Sequence, residues 1–306
     1  MAEVRIGLAL AGGGARGAAH IAVLKVLHEN DIPIHRIAGS SAGAIIGAMY
    51  CASESPDWIE EKYRKFLSSR KFKLLGVRRI QETKDRKSTS FMNQIGHYLK
   101  GKFILTVAQN RKGLLSSEKL LSAIESLLPV MTFEELKIPL TVVATDLNSG
   151  QEIIYTEGDL VEAVTHSSLI PGYLVPVNNS DRLIVDGVVS APLPINALLN
   201  CDLDFTIAVD ISRREVESLQ DYNIIDLLAR TEHVASVKLV EELTQKADVV
   251  IRPEVKDAHW SEFDRTEELM SCGTEAAKAA LPAIRAGIEE KRKVSYKFRK
   301  WLKAKL

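Results

Sequence analysis

Two glycine-rich turns, each entered from a short apolar run and left through a helical stretch, constrain this chain more than any other feature. The first is Gly12-Gly13-Gly14-Ala15-Arg16-Gly17, after the run Val4 to Ala11. The second is Gly39-Ser40-Ser41-Ala42-Gly43, after Ile34 to Ala38. A continuous apolar run of this length ending in glycine reads as a buried parallel strand. Between the turns, Ala18 to Asn30 carries Ile21, Leu24 and Leu27 at helical spacing. A helical crossover makes its two strands parallel neighbours. Both turns then sit at the C-terminal edge of one sheet, where ligands bind in open α/β folds.

The second turn has the form G-x-S-x-G. A serine on a sharp strand-to-helix turn presents its hydroxyl outward, and the helix that follows offers free N–H groups and a positive dipole end beside it. Ser41 therefore reads either as a nucleophile, with Gly39, Ser40, Ala42 and Gly43 as its elbow, or as part of a plain Gly/Ser turn. The first turn also fits the dinucleotide pattern G-x-G-x-x-G through Gly12, Gly14 and Gly17. That pattern needs an acidic residue at the end of the second strand, and the second strand ends in Gly39-Ser40-Ser41 instead. The better reading is a set of bare backbone N–H groups near Gly13 and Gly14, aimed at the oxygen above Ser41 as an oxyanion hole. Arg16 steadies that loop, meets an anionic substrate, or is a surface residue of a first helical turn.

With 306 residues and 40 basic against 40 acidic side chains, the chain suits one large domain or one and a half. Cys51, Cys201 and Cys272 are far apart and in no metal or redox spacing, which suggests reduced thiols in a cytoplasmic protein. The start shows no signal peptide, and no apolar run has the length to span a bilayer. The neutral total hides segregation. Lys62 to Lys112 holds fifteen Lys/Arg against Glu82 and Asp85, and residues 291–306 hold eight basic residues and no acidic one. Such segregation points to a binding surface, or to a solvated insert and tail.

Residues 57–135 read as a basic, mostly helical insert. It has one apolar stripe at Trp58, Tyr63 and Phe66, another at Phe91, Ile95, Leu99 and Phe103, and Ser116 or Ser117 capping a helix to Leu128. Beyond it the pattern predicts strands at Pro139–Ala144, Gln151–Tyr155, Arg182–Val185, Phe205–Val209 and Asp248–Ile251. Helices are expected from Gly158 or Asp159 to His166, over Ile224–Gln245, and over Glu262–Ile284 with an interruption near Pro282. Ser167–Pro176 reads as a loop. In the tail, Val294, Phe298, Trp301 and Leu302 form one helical stripe ringed by lysine and arginine. Such a helix lies flat in a bilayer interface or packs its stripe on the domain.

A serine nucleophile needs a base. A triad would run Ser41, Asp186, then His233 or His259, an order that α/β-hydrolases allow. That fold, however, places several strands before its nucleophile, and only one strand–helix unit precedes Ser41. His233 falls within a helix, and His259 in the polar segment Lys256–Glu262. The other system is a Ser–Asp dyad, with Asp186-Gly187 closing its strand.

The glycine loop 12–17, the serine turn 39–43, and Asp186-Gly187, in that order and spacing, resemble the patatin-like phospholipase family. Ala163–Pro176, with Ser167, Pro171 and Pro176, resembles the family's loop before the Asp strand. The likeness runs from about Ile6 to Pro194. It is strongest to bacterial proteins akin to the catalytic domain of neuropathy target esterase, whose C-terminal part Asp248–Glu268 is similar to. The resemblance implies a three-layer α/β/α fold with a mainly parallel central sheet and a helical insert. It implies a catalytic domain over residues 4–255, with a helical extension at 256–290 and a basic tail at 291–306. Ser41 would be the nucleophile, Asp186 the base, Gly187 and Val188 the base turn, and Gly12, Gly13, Gly14, Ala15, Arg16 and Gly17 the oxyanion loop. The implied activity is a serine acyl hydrolase of phospholipid or lysophospholipid esters. It needs no cofactor, metal or nucleic acid, and works in the cytoplasm or peripherally on the inner, anionic membrane face. A lipid-binding or regulatory protein with little turnover is the alternative. The chain departs from the family at Val188, where Gly or Ala is usual, and at Ala191, where Asn is usual.

Overall fold

The computed structural model describes residues 3–77, 113–179, 181–216, 218, 219, 222, 224–293 and 301. Five parallel strands form its centre: β1 (Ile6–Leu10), β2 (Arg36–Ser40), β3 (Leu140–Asp146), β7 (Phe205–Val209) and β8 (Val249–Ile251). Every residue of β1 and β3 is buried, which explains why these strands read as unbroken apolar runs: helices cover both faces. Three antiparallel strands finish one end of the sheet, namely β4 (Glu152–Tyr155), β5 (Val177–Asn179) and β6 (Arg182–Val185). The hydrogen-bonded order is β5-β6-β3-β2-β1-β7-β8, with β4 also on β3. The mainly parallel reading holds for the centre, and the end with β4 to β6 makes the sheet mixed.

The two edges of β3 decide where β6 goes. Successive residues of a strand point their backbone groups to opposite edges. The Pro139 carbonyl accepts from Ile37 at the start of β2 (3.0 Å), so odd-numbered residues of β3 face β2. The Leu147 N–H donates to Leu183 of β6 (2.8 Å), whereas the Asp146 N–H donates to Gln151 beside β4 (3.0 Å). β6 thus binds the edge of β3 that β2 uses lower down, just past the tip of β2. The turn after β6 is thereby delivered to the turn after β2.

The helices are α1 (Ala18–Glu29), α2 (Ala42–Ser53), α3 (Pro56–Ser68), α4 (Arg70–Leu74), α5 (Ser117–Leu127), α6 (Leu160–His166), α7 (Asn196–Leu199), α8 (Ile224–Thr244) and α9 (Thr266–Arg292). From β1 the chain steps outward in one direction to β2 and β3, and from β7 in the other to β8. Right-handed crossovers then put α1 and α2 on one face and α8 on the opposite one, giving three layers. α2 is buried on almost all sides, as a helix without a polar face must be. α3 starts with Ser55 accepting from the Trp58 N–H and with Pro56 in its first turn.

Some local expectations shift. β2 begins at Arg36 and includes Gly39 and Ser40. Ser116 occupies the cap position of α5 but makes no side-chain cap bond. The helix expected to break near Pro282 runs unbroken through it as α9. Leu269, Ala277, Ile284 and Ile288 lie buried in the main core as α9 runs along α1, and that packing outweighs the local loss of one backbone bond. The stripe Phe91, Ile95, Leu99 and Phe103 lies outside the described residues, as do Val294, Phe298 and Leu302 of the tail. Trp301 is exposed.

Candidate active site

Ser41 sits between β2 and α2 with φ 52° and ψ −121°. That backbone is costly for an L-residue, and the surroundings must enforce it. They do so by close packing. A Cβ on Gly43 would run into the Leu10 carbonyl, so α2 starts hard against β1. The Ser41 N–H donates to Ser167 Oγ (2.8 Å), which donates in turn to the Val143 carbonyl (2.6 Å). Ser40 Oγ donates to the Ala191 carbonyl (2.7 Å), tying this turn to the one after β6.

Ser41 Oγ donates to Asp186 Oδ2 at 2.8 Å, across 145 positions of sequence. The Val188 N–H donates to the other carboxylate oxygen, Oδ1 (2.9 Å), and Thr145 Oγ1 to the Asp186 carbonyl (3.0 Å). Asp186 is fully buried. Burial pushes its carboxyl up to about 7, against the opposing pull of the Val188 N–H and the Ser41 hydroxyl. At Val188 and Ala191, where the resemblance implies other residues, the backbone makes the contact: Val188 contributes its N–H and Ala191 its carbonyl. The Val188 side chain packs over Gly12.

The glycine loop arches beside Ser41. Most of its amides are already engaged: Gly12 donates to the Pro192 carbonyl (3.1 Å), Ala15 to the Trp260 carbonyl (2.7 Å) and Arg16 to the Gly13 carbonyl (3.3 Å). Among the described residues, the Gly13 and Gly14 amides have no such partner. Gly14 has φ +60°, and a Cβ there would meet the Trp260 carbonyl, so only glycine keeps this arch. Arg16 is no surface residue. It is 3% exposed, with Nε donating to the Gly13 carbonyl (3.2 Å). His233 and His259 do not bond to Ser41 or Asp186. His233 Nε2 meets the Glu215 carbonyl (3.1 Å) and His259 Nδ1 meets Ser261 Oγ (2.7 Å). The described residues contain no group of three His, Cys, Asp or Glu fit to hold a metal.

Ser41 opens onto an apolar cavity of about 110 Å³. Ile45 and Ile46 of α2, Tyr63 and Phe66 of α3, Phe72 of α4, and Leu120 and Ile124 of α5 form much of its wall. Of the first apolar stripe of the insert, Tyr63 and Phe66 pack inward and line the space beside the serine. Trp260 and Phe263 complete the wall from the far end of the chain. Nothing near Trp260 in sequence signals that its carbonyl pins Ala15, or that Ser167 holds the Ser41 amide. Both depend on contacts between distant segments.

Comparison with known proteins places the chain in a family. The profile of the Patatin-like phospholipase family matches residues 8–199. An NTE family protein of Mycobacterium tuberculosis is 32% identical over 217 residues, covering 71% of this chain and 52% of that protein. The neuropathy target esterase sws of Drosophila melanogaster is 27% identical over 219 residues, covering 71% of this chain and 14% of that protein. The chain thus spans about half the length of the mycobacterial relative and far less of the insect one. Human GIVD cytosolic phospholipase A2 aligns with a TM-score of 0.46 at 10% identity, covering 94% of this chain and 60% of that one. The profile match takes in both glycine turns and Asp186, and the chain belongs to the patatin-like phospholipase family.

Proposed function

We propose that this chain is a serine acyl hydrolase that cleaves carboxylic esters of phospholipids or lysophospholipids through Ser41 and Asp186. The observation that carries this reading is the 2.8 Å bond from Ser41 Oγ to a buried Asp186, at the mouth of an apolar cavity suited to an acyl chain. As Ser41 Oγ attacks the ester carbon, its proton passes to Asp186 Oδ2. A lone carboxylate is a weak base, so transfer accompanies attack, and the raised carboxyl value brings the base nearer to the proton it must take. The oxyanion turns to the Gly13 and Gly14 N–H groups, which carry much of the barrier. Collapse expels the alcohol with the proton from Asp186 and leaves an acyl-Ser41. Water, deprotonated by Asp186, then releases the fatty acid.

Labelling by a fluorophosphonate lipid probe tests this reading. The wild type should label and Ser41→Ala should not, and a lipid panel read by mass spectrometry should show free fatty acid. Absence of both labelling and turnover would favour the lipid-binding alternative.

The same reading assigns residues 4–255 to the catalytic domain, with the insert at 57–135 and an extension at 256–290. It puts the protein in the cytoplasm, against the anionic inner membrane face, with the basic insert and tail as contacts. No helix among the described residues is long and apolar enough to cross a membrane. A polybasic segment gains about 1 kcal/mol per engaged Lys or Arg near an anionic surface. The protein should sediment with anionic liposomes at low salt and be released at high salt. Removal of residues 291–306 should weaken this while sparing hydrolysis of a small soluble ester. Equal binding by the truncated protein would rule the tail out as the anchor.

A further inference from the structure

The glycine loop is gripped from below by two buried side chains that no ester-hydrolysis step uses directly. Arg16 sits in the 3-10 turn Gly14–Gly17 that closes the loop and His20 in the first turn of α1, and both reach loop carbonyls. Arg16 Nε donates to the Gly13 carbonyl (3.2 Å), and His20 Nε2 bonds the Ala11 carbonyl (2.8 Å). Arg16 is 3% exposed and His20 is 0% exposed.

In a trans peptide, the carbonyl of one residue and the N–H of the next point in opposite directions. Gripping the Gly13 carbonyl from below therefore turns the Gly14 N–H away from Arg16. Gripping the Ala11 carbonyl fixes the plane of the Gly12 N–H, which donates to Pro192. The alternate peptides of the loop are thus locked by side chains, while the Gly13 and Gly14 amides stay unengaged among the described residues.

Stability alone does not account for these two residues. Arg16 Nη1 and His20 Nδ1 are buried with no hydrogen-bond partner among the described residues, and a buried polar atom left unpaired costs free energy. Each side chain accepts that cost while spending one N–H on a loop carbonyl. Burial holds the His20 ring down at about 4, so it is neutral and its one ring proton is free to sit on Nε2. Burial, with Arg213 nearby, brings Arg16 down to about 9, and it remains a cation near neutral pH.

We propose that His20 and Arg16 are positioning residues of the oxyanion hole: His20 clamps the Ala11 carbonyl and so holds the Gly12 N–H on Pro192, and Arg16 clamps the Gly13 carbonyl so that the Gly14 N–H faces the reacting oxygen. This rests on the hydrolase reading above. It names His20, a residue that neither touches the serine nor lies in the glycine loop.

Four variants test the clamp: Arg16→Met and His20→Leu, which remove the donors, and Arg16→Lys and His20→Gln, which keep one. The readout is the ratio of two inhibition constants. One is for a long-chain trifluoromethyl ketone, which forms an oxyanion on serine, and the other is for a matching ether lipid, which does not. The ratio reports only folded protein, so it survives partial unfolding of a variant. The donor-less variants should lose about tenfold to a hundredfold in this ratio and in kcat, less than the ~10²–10³ typical for losing an oxyanion donor itself. KM and ether-lipid binding should hardly change, and His20→Gln should recover most of the loss. A lowered melting temperature with an unchanged ratio would overturn the clamp and leave both residues as structural. If the wild type neither labels nor turns over, the hydrolase reading falls and the clamp with it. If the wild type is active and the ratios do not move, only the clamp falls.

Discussion

Asp146 and Asp186 are the same residue type at comparable places. Asp146 ends β3, Asp186 follows β6, and the two strands pair with each other. Both carboxylates accept hydrogen bonds from nearby backbone N–H groups. Yet their titrations move in opposite directions. Asp146 accepts from Ser149 Oγ (2.6 Å) and from the N–H groups of Asn148 and Leu183, and these donors hold it below the usual carboxylate range. Asp186 has one N–H and the Ser41 hydroxyl, and the burial around it outweighs both. Asp146 shapes a turn, whereas Asp186 lies buried against the Ser41 hydroxyl, where the proposed mechanism needs a base. Position in the sheet does not separate a structural acid from a base, but the balance of donors against desolvation does.

The largest test of this contrast is substitution to asparagine at each site. Asp186→Asn should cost about 10²–10⁴-fold in turnover, the usual worth of a general base, with the fold intact. Asp146→Asn should leave turnover within a few-fold of wild type. If Asp186→Asn keeps most activity while His233→Ala or His259→Ala loses it, the dyad is wrong.

Next in size is the glycine loop. Gly14→Ala must place a Cβ against the Trp260 carbonyl at φ +60°. It should lower kcat by about 10²-fold with little change in KM, because the displaced N–H acts mostly in the transition state. A change confined to KM would make the loop a binding element instead.

The pH behaviour of the two acids should diverge. The proposed mechanism needs ionised Asp186, so kcat should rise with pH and level off above about 7. The same shift acts against stability. Its folded value of about 7 lies above the ~3.9 of an unfolded chain, so the stability due to this group is full at low pH and is lost as pH rises through about 7. Asp186→Asn should therefore raise the melting temperature by a few degrees at pH 8 and hardly at all at pH 4. Asp146 has the opposite sign. Its stabilisation is present above the unfolded value and lost as pH falls through the lowered folded one, so Asp146→Asn should lower the melting temperature at neutral pH. Melting curves of both variants at pH 4, 6 and 8 check this, and parallel shifts would remove the distinction between the two acids.

Features that act over a few residues are legible in the chain without its fold. The apolar runs into Gly12 and Gly39 specify β1 and β2. The helical spacing of Ile21, Leu24 and Leu27 specifies α1, and the crossover places both turns at one sheet edge. The glycines at 14 and 43 stand out as a turn pattern, but what excludes a Cβ there, the Trp260 and Leu10 carbonyls, comes from other segments. The break expected at Pro282 does not occur because its penalty is local, while what holds α9 straight is packing on α1, which no window of sequence contains. That β6 docks on the β3 edge just past β2, bringing Asp186 to Ser41, follows from the folded sheet alone. The fold also decides that Trp260 pins Ala15, and that Ser167 holds the Ser41 amide. The titration of Asp186 belongs to this second group as well. Desolvation is a property of everything packed around a carboxylate, and it exists only once distant segments have closed over it.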